Sequence, residues 1–396
     1  MSQEKVLRIF AQPSNDGAIG HLRILEPCQM MGELGLVETV ILDNQKPIRT
    51  ATMVEMLKNT DIVWFQACMD QKYMWNILNC RQVNPKIKLV MDVDDNLFAV
   101  NPWNPSYTAF TTDEKYEGQE HVVALPKQRN HARIRIFQTL MKEADAIITT
   151  TELLAAVYSQ LNKNIYIMPN RLIMRNWDFS HIPKINDGKI RLSWMGGSSH
   201  MMDWAQAHGA IKRIIEKRDN IIMQFHTSPE AYIDFIRDLG KEKTELWNWI
   251  DYSGHSFKLN CTKPDIGIIP LNDDEFSICK SDLKFIEYAM LKVPCVCQNI
   301  PPYSKSVTHG VNGFLANNDE EFEKCIELLI GDEDLRRRIG EAAYAWAKRE
   351  RNAEEGAREV YEMMKSIMEL PSWQIMPEIK YTEHKLDEKK EVVLAQ

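Results

Sequence analysis

No stretch of the chain approaches the roughly eighteen consecutive apolar residues of a membrane-spanning helix. The N-terminus, MSQEKVLRIFAQPSND, also lacks the basic-then-apolar order of a secretory leader. A cytoplasmic location is the expectation. Cysteines stand at 28, 68, 80, 261, 279, 295, 297 and 325, never in CxxC spacing, so neither a zinc site nor a disulfide framework is indicated. Cys295 and Cys297 flank Val296 in an apparent strand and point to one side of it, as small buried residues beside a core do. An excess of positive charge is missing too: the formal net charge is −8. Residues 1–185 balance 20 Lys and Arg against 20 Asp and Glu, and the remainder, with 28 against 36, carries the whole deficit. That balance argues against broad nucleic-acid binding, while a locally basic patch stays open in the neutral half.

What is present is a globular composition, 44% hydrophobic and 26% charged, over 396 residues, a length that suggests two domains. Short β-rich runs alternate with longer helical patterns. Strands are expected at Val6–Ala11, Ile62–Gln66, Leu89–Asp92, Ala146–Thr149 and Ile165–Met168, with helices around His21–Glu33, Thr52–Lys58, Gln71–Cys80 and Glu152–Leu161. A turn-rich linker, IPKINDG at 182–188, interrupts the pattern. It restarts with strands at Ile190–Trp194, Ile221–Phe225, Asp265–Ile269 and Cys295–Gln298, and helices near Asp203–Lys217, Pro229–Leu239 and Ser281–Leu291. Helices then follow at Glu320–Ile330, Glu333–Lys348 and Ala353–Met368. Such alternation implies α/β architecture with parallel, doubly wound sheets, whose ligands bind outside the carboxyl ends of the strands. The expected division is 1–183, 184–350, a helix at 351–370 packing back towards the first domain, and a tail at 371–396.

Four stretches carry chemistry. In Ser193-Trp194-Met195-Gly196-Gly197-Ser198-Ser199-His200, followed by Asp203, a strand runs through two glycines into a helix start. That is the outline of a phosphate cradle, or else a tight turn. In Lys280-Ser281-Asp282-Leu283-Lys284-Phe285-Ile286-Glu287, the positions 280, 284 and 287 would share one helical face opposite Leu283, Ile286 and Met290. Two ammonium groups there can neutralise a diphosphate and a carboxylate can accept from ribose hydroxyls; a solvated charged face is the alternative. Asp92-Val93-Asp94-Asp95-Asn96 ends a strand, but no partner carboxylate or histidine cluster accompanies it, and no metal is expected. Gly20-His21-Leu22-Arg23 and Pro27 follow a loop that would face a cleft, with Arg23 reaching a phosphate or acceptor or closing a structural salt bridge.

Together these residues resemble the glycosyltransferase family 4-like group of GT-B fold. The C-terminal half is the more specific match: Asp265–Leu271, Lys280-Ser281, Lys284, Glu287-Tyr288-Ala289, Pro294, Val296 and Gly310–Gly313, with Trp194, Gly197-Ser198, His200 and Asp203 as the first strand and helix. Gly20, Arg23, Pro27, Asp92–Asp95, Thr151–Leu154 and Pro169-Asn170 resemble a subset frequent among bacterial and phage sugar-transfer proteins. The resemblance implies two Rossmann-like domains facing a cleft, with C-terminal helices. One departure stands out: relatives carry glutamates spaced E-x7-E, and here Glu287 matches the second while Cys279 holds the place of the first.

The expected activity is transfer of a sugar from a nucleotide-diphosphate sugar, UDP- or GDP-linked, metal-independent and with retention of configuration as the resemblance implies. Lys280, Lys284 and Glu287 are the expected catalytic residues, and Gly196, Gly197, Ser198, His200 and Asp282 bind the donor. Gly20, Arg23, Asp94 and Asp95 face the acceptor or cleft. The acceptor class is open: a glycan, a lipid, a protein or a modified DNA base. The segment Asn101–Leu125, with Trp103, Tyr107, Phe110 and Tyr116, suits a lid or a sugar-stacking surface, or a passive excursion. Lys127, Arg129, Arg133 and Arg135, around His131 and free of acidic neighbours over 121–141, suit either a solvated helix or a phosphate-facing strip. A DNA-modifying enzyme and a non-catalytic nucleotide-sugar binder are the alternatives. Oligomeric state is not legible.

Overall fold

The computed structural model describes residues 6–42, 50–100, 131–179, 181–183, 186–197, 200–228 and 233–371. The expectations for Ser198, for Asn101–Leu125, for Lys127, Arg129 and the His131 side chain, and for the chain beyond Pro371 lie outside these residues. Two six-stranded sheets, parallel throughout, form within them. The first contains β1 (Leu7–Gln12), β2 (Val37–Ile41), β3 (Ile62–Gln66), β4 (Lys88–Val93), β5 (Ala146–Thr149) and β6 (Ile165–Ile167), in the order β2-β1-β3-β4-β5-β6. The second contains β7 (Ile190–Met195), β8 (Ile221–His226), β9 (Thr244–Trp247), β10 (Ile266–Ile269), β11 (Cys295–Gln298) and β12 (Phe314–Ala316), in the order β12-β11-β10-β7-β8-β9. Central strands are buried along nearly their whole length because both sheet faces are covered; every residue of Ile62–Gln66 and of Lys88–Val93 is buried.

Strand order reverses between β1 and β3 and again between β7 and β10. At such switch points the loops leaving neighbouring strands diverge and open a crevice. Helix starts are fixed by side chains that accept backbone N–H groups of the first turn: Asp70, Thr151, Asn318, Asp332 and Asn352. The Asn352 cap launches the Ala353–Met368 helix, whose Val360, Tyr361, Met364 and Ile367 pack into one core with Leu7, Ile9 and Ile24.

Several elements depart from the expected pattern. The helix expected from His21 begins with Ala18–Gly20, passes through a π-helical stretch at His21–Leu25 and continues as Glu26–Glu33. Strands β2, β9 and β12 and the helix Tyr252–Thr262 were not anticipated. The strands are short edge or near-edge elements, and that helix has little amphipathic pattern to announce it. The helix expected at Ser281–Leu291 spans Leu283–Met290 instead. Lys280 precedes it in extended backbone after the 3-10 turn Ser277–Cys279, so Lys280, Lys284 and Glu287 do not share a helical face. Tertiary folding brings them together by another route.

Candidate active site

A cleft of about 300 Å³ opens where the carboxyl ends of the two sheets approach each other. From the first half, Arg23, Asp94, Asp95 and Asn170 line it; from the second, Gly196, Gly197, His200, Lys280, Lys284 and Glu287 do. Gly196 follows the last residue of β7, and a methyl group added there would stand 2.7 Å from the Trp194 indole, so only glycine fits this turn. A Cβ added at Gly197 would meet no atom of the described residues within 4 Å, unlike one at Gly196.

Lys284 rises from the Leu283–Met290 helix and donates to His200 Nε2 at 3.1 Å. His200 Nδ1 lies 2.6 Å from Asp203 Oδ2, and Asp203 Oδ1 accepts from the Asn272 backbone N–H at 3.0 Å. Burial, then the Lys284 charge, pushes the His200 pKa down to about 4, so the ring is neutral and has a lone pair for the ammonium. Burial likewise brings the Lys284 pKa down to about 8. Burial alone would raise the Asp203 carboxyl, but the His200 hydrogen bond and nearby positive charge outweigh it and hold Asp203 below its ordinary value. Lys280 stands beside this line, 3.0 Å from Asp95 Oδ1 across the cleft. The helix that carries Lys284 is fastened to β7 by the Tyr288 hydroxyl, which donates to the Ser193 carbonyl at 2.9 Å.

Glu287, one turn further along, is buried and faces His255 Nε2 at 3.3 Å. His255 stacks on Tyr252 with ring centroids 6.0 Å apart, and Tyr252 in turn meets His21 of the first half. Lys258, on the same Tyr252–Thr262 helix, is lowered by burial and partly restored by the Glu287 charge. Glu287, Tyr252, His255 and Lys258 line the same cleft as the two lysines.

On the first-half wall Arg23 is buried and makes a two-pronged contact with Asp92, Nε to Oδ1 at 3.1 Å and Nη2 to Oδ2 at 2.9 Å. It also donates to the Met168 carbonyl and to Asn170 Oδ1. The salt-bridge alternative for Arg23 therefore holds, and the guanidinium still forms part of the cleft wall. Burial raises the Asp92 carboxyl against the pull of Arg23. Burial, reinforced by Asp95 and Asp92, lifts the Asp94 pKa to about 7.

Three residues named from sequence sit elsewhere. Gly20 is buried behind the cleft, where an added methyl would come within 1.8 Å of the Asn15 carbonyl oxygen. Asp282 is buried, accepts from the Ser306 hydroxyl and pairs with Arg351 at 3.1 Å, tying the start of the Leu283–Met290 helix to the chain that crosses back to the first half. Cys279, at the place of the missing glutamate, lies in the seam between the halves. Its carbonyl accepts from Thr151 Oγ1 at 3.0 Å and its sulfur faces the Asn96 amide at 3.8 Å. His226, His255 and Lys258 line the cleft without having been named from sequence. His226 had a signal: it ends β8 in register with Met195 at the end of β7, where strand-end residues face the ligand. His255 and Lys258 lie on the unanticipated helix.

Residues 283–346 match the family model described as Glycosyl transferases group 1, a segment that begins with the helix bearing Lys284 and Glu287. Comparison with curated protein sequences gives no match. Among solved structures the chain resembles a glycosyltransferase from Rickettsia africae at 13% identity and TM-score 0.61, covering 93% of this chain and 100% of that one. It resembles HepE of Anabaena in complex with UDP at 14% identity and TM-score 0.58, covering 91% and 100%. Sucrose-phosphate synthase from Thermosynechococcus elongatus follows at 11% identity and TM-score 0.61, covering 92% and 99%. Among the described residues no helix is long and apolar enough to cross a membrane. The architecture of the whole chain is thus the GT-B fold of two Rossmann-like halves, and its residues 283–346 are similar to the Glycosyl transferases group 1 model.

Proposed function

We propose that the cleft binds a nucleotide-diphosphate sugar and transfers its sugar, with retention of configuration, to an acceptor approaching from the first half. The observation that carries this reading is the convergence on one cleft of the Gly196-Gly197 turn with Lys280, Lys284 and Glu287, which come from a stretch of chain far away in sequence. The diphosphate lies against the two ammonium groups and the backbone of the glycine turn, and Glu287 accepts from the ribose hydroxyls. UDP- and GDP-sugars both suit this chemistry. That HepE was crystallised with UDP supports the nucleotide reading by analogy of fold.

In the reaction, the bond between the anomeric carbon and the phosphate oxygen breaks with both electrons passing to the diphosphate. Lys280 and Lys284 stabilise the charge that grows there, the main electrostatic task of the step. The acceptor oxygen forms its new bond on the same face, and its proton passes to the departing phosphate. Asp92 is neutralised by Arg23 and Asp95 by Lys280, so these carboxylates have cationic partners within the protein, and the transfer is proposed to proceed without a metal. Asp94 and Asp95 face the incoming acceptor.

Incubating the protein with UDP-, GDP- and ADP-sugars and following nucleotide diphosphate release tests the reading, with glycan, lipid, peptide and hydroxymethylated DNA acceptors in separate arms. Release from one donor class, stimulated by one acceptor, is the expected result. No release and no nucleotide binding with any donor would overturn it.

A further inference from the structure

Beyond Glu287 the cleft continues to a residue with no role so far. His226 closes β8, is 1% exposed and lines the cleft. Its ring stacks on Trp247 at 6.4 Å and 13°, and its backbone carbonyl accepts from Gly196 at 3.2 Å, so it is fixed beside the phosphate turn. Neither ring nitrogen has a hydrogen-bond partner among the described residues, and the buried Thr227 hydroxyl and Trp247 indole N–H beside it are also unpartnered. Buried polar groups are almost always hydrogen-bonded, so such a cluster at the edge of a ligand cleft marks a place where the ligand supplies the partners. Burial, then Lys258 and His255, drives the His226 pKa down to about 3, leaving a neutral ring with one donor and one acceptor.

The direction of the cleft decides which part of the ligand arrives there. The lysines hold the diphosphate and Glu287 the ribose. His255 meets Glu287 at 3.3 Å, and the charges of Lys258 and His255 both bear on His226, which groups His226 with the Glu287 side of the cleft. In a nucleoside diphosphate the base extends from the ribose on the side opposite the phosphates. Trp249 and Ile250 line the same cleft, and Trp249, 62% exposed, offers a ring for stacking.

Resting on the nucleotide-sugar reading above, we propose that His226 hydrogen-bonds the heterocyclic base of the donor and sets which base the enzyme accepts. The test is calorimetric binding of UDP, GDP, ADP and inorganic pyrophosphate to the wild-type protein and to His226→Phe and His226→Gln. The Phe variant keeps a ring against Trp247 and removes both nitrogens. It should weaken the best nucleoside diphosphate about tenfold or more, narrow the differences among the three bases and leave pyrophosphate unchanged. The Gln variant, with a donor and an acceptor, should recover most of the loss. In the wild-type protein the His226 ring signals in NMR should shift with the preferred nucleotide and not with pyrophosphate, a readout independent of whether a variant folds. Unchanged nucleotide affinity in the Phe variant, a parallel loss for pyrophosphate, or ring signals indifferent to nucleotide would overturn the assignment to His226. Failure of the wild-type protein to bind any nucleoside diphosphate would instead sink the underlying donor reading.

Discussion

Lys284 and His200 form a hydrogen bond in which the ammonium donates to Nε2 at 3.1 Å, and the ring is in turn held by Asp203 at 2.6 Å. A lysine on a flexible stem is thereby given one direction, into the cleft, before any ligand arrives. Preorganisation of this kind matters most where charge develops during reaction, because no reorganisation is left to be done at that moment.

Lys284→Ala and Glu287→Ala should each impair donor use by more than about tenfold while the protein remains folded. Each removes one charge-assisted contact, worth about 1.5–3 kcal/mol. Donor kcat/KM together with thermal melting checks this. Normal donor affinity in both variants, with normal melting, would remove the helix from the active site.

The depressed Lys284 pKa has a pH signature. The group is charged below about 8 and loses its proton above it, so a diphosphate meets one cation fewer on the alkaline side. Donor kcat/KM, which reports the free enzyme, should fall as pH rises through about 8. Lys284→Arg, which stays charged, should flatten the fall even if its absolute activity is lower. A wild-type profile level well past that pH would refute the role given to the ammonium.

Chelation of divalent ions should leave turnover intact if, as proposed, Lys280 and Lys284 of the cleft offset the charge of the leaving diphosphate. Loss of activity in EDTA, restored by manganese or magnesium, would overturn this and turn attention to Asp92, Asp94 and Asp95.

Asp94 gives a test on the acceptor side. With its pKa lifted to about 7, it is largely protonated below that value and ionised above it. Asp94→Asn should raise the acceptor KM by about tenfold, the loss of one charge-assisted hydrogen bond, with donor KM within about twofold of wild type. An equal rise in both constants would place Asp94 with the donor instead.

The Arg23–Asp92 pair should prove structural. Arg23→Met leaves a buried carboxylate without its cation, and breaking such a pair costs about 3–5 kcal/mol. A large fall in melting temperature is expected, recovered in part by Asp92→Asn in the same chain, which removes the orphaned charge. A stable single variant lacking only acceptor binding would assign Arg23 to the substrate.

The order of elements by itself determined the doubly wound halves, because parallel strands buried on both faces are written as short, largely apolar runs separated by helices, as Ile62–Gln66 and Cys295–Gln298 are. Local motifs and the family resemblance picked out Lys280, Lys284, Glu287, His200, Gly196, Asp94 and Asp95, all of which line the cleft. Tertiary structure alone decided how they meet. Helical spacing placed Lys280 with Lys284, yet Lys280 precedes the helix and arrives through a 3-10 turn whose backbone is held by Thr151 of the other half. Asp282, equally close in sequence, turns away to Arg351 because burial next to a guanidinium satisfies its charge there. His255 and Lys258 became visible only when the Tyr252–Thr262 helix was brought to the cleft, whereas His226 at the end of β8 had a strand-end signal. Local sequence fixes which residues an element presents, whereas contacts between residues far apart in the chain depend on how the two sheets and their connecting helices pack.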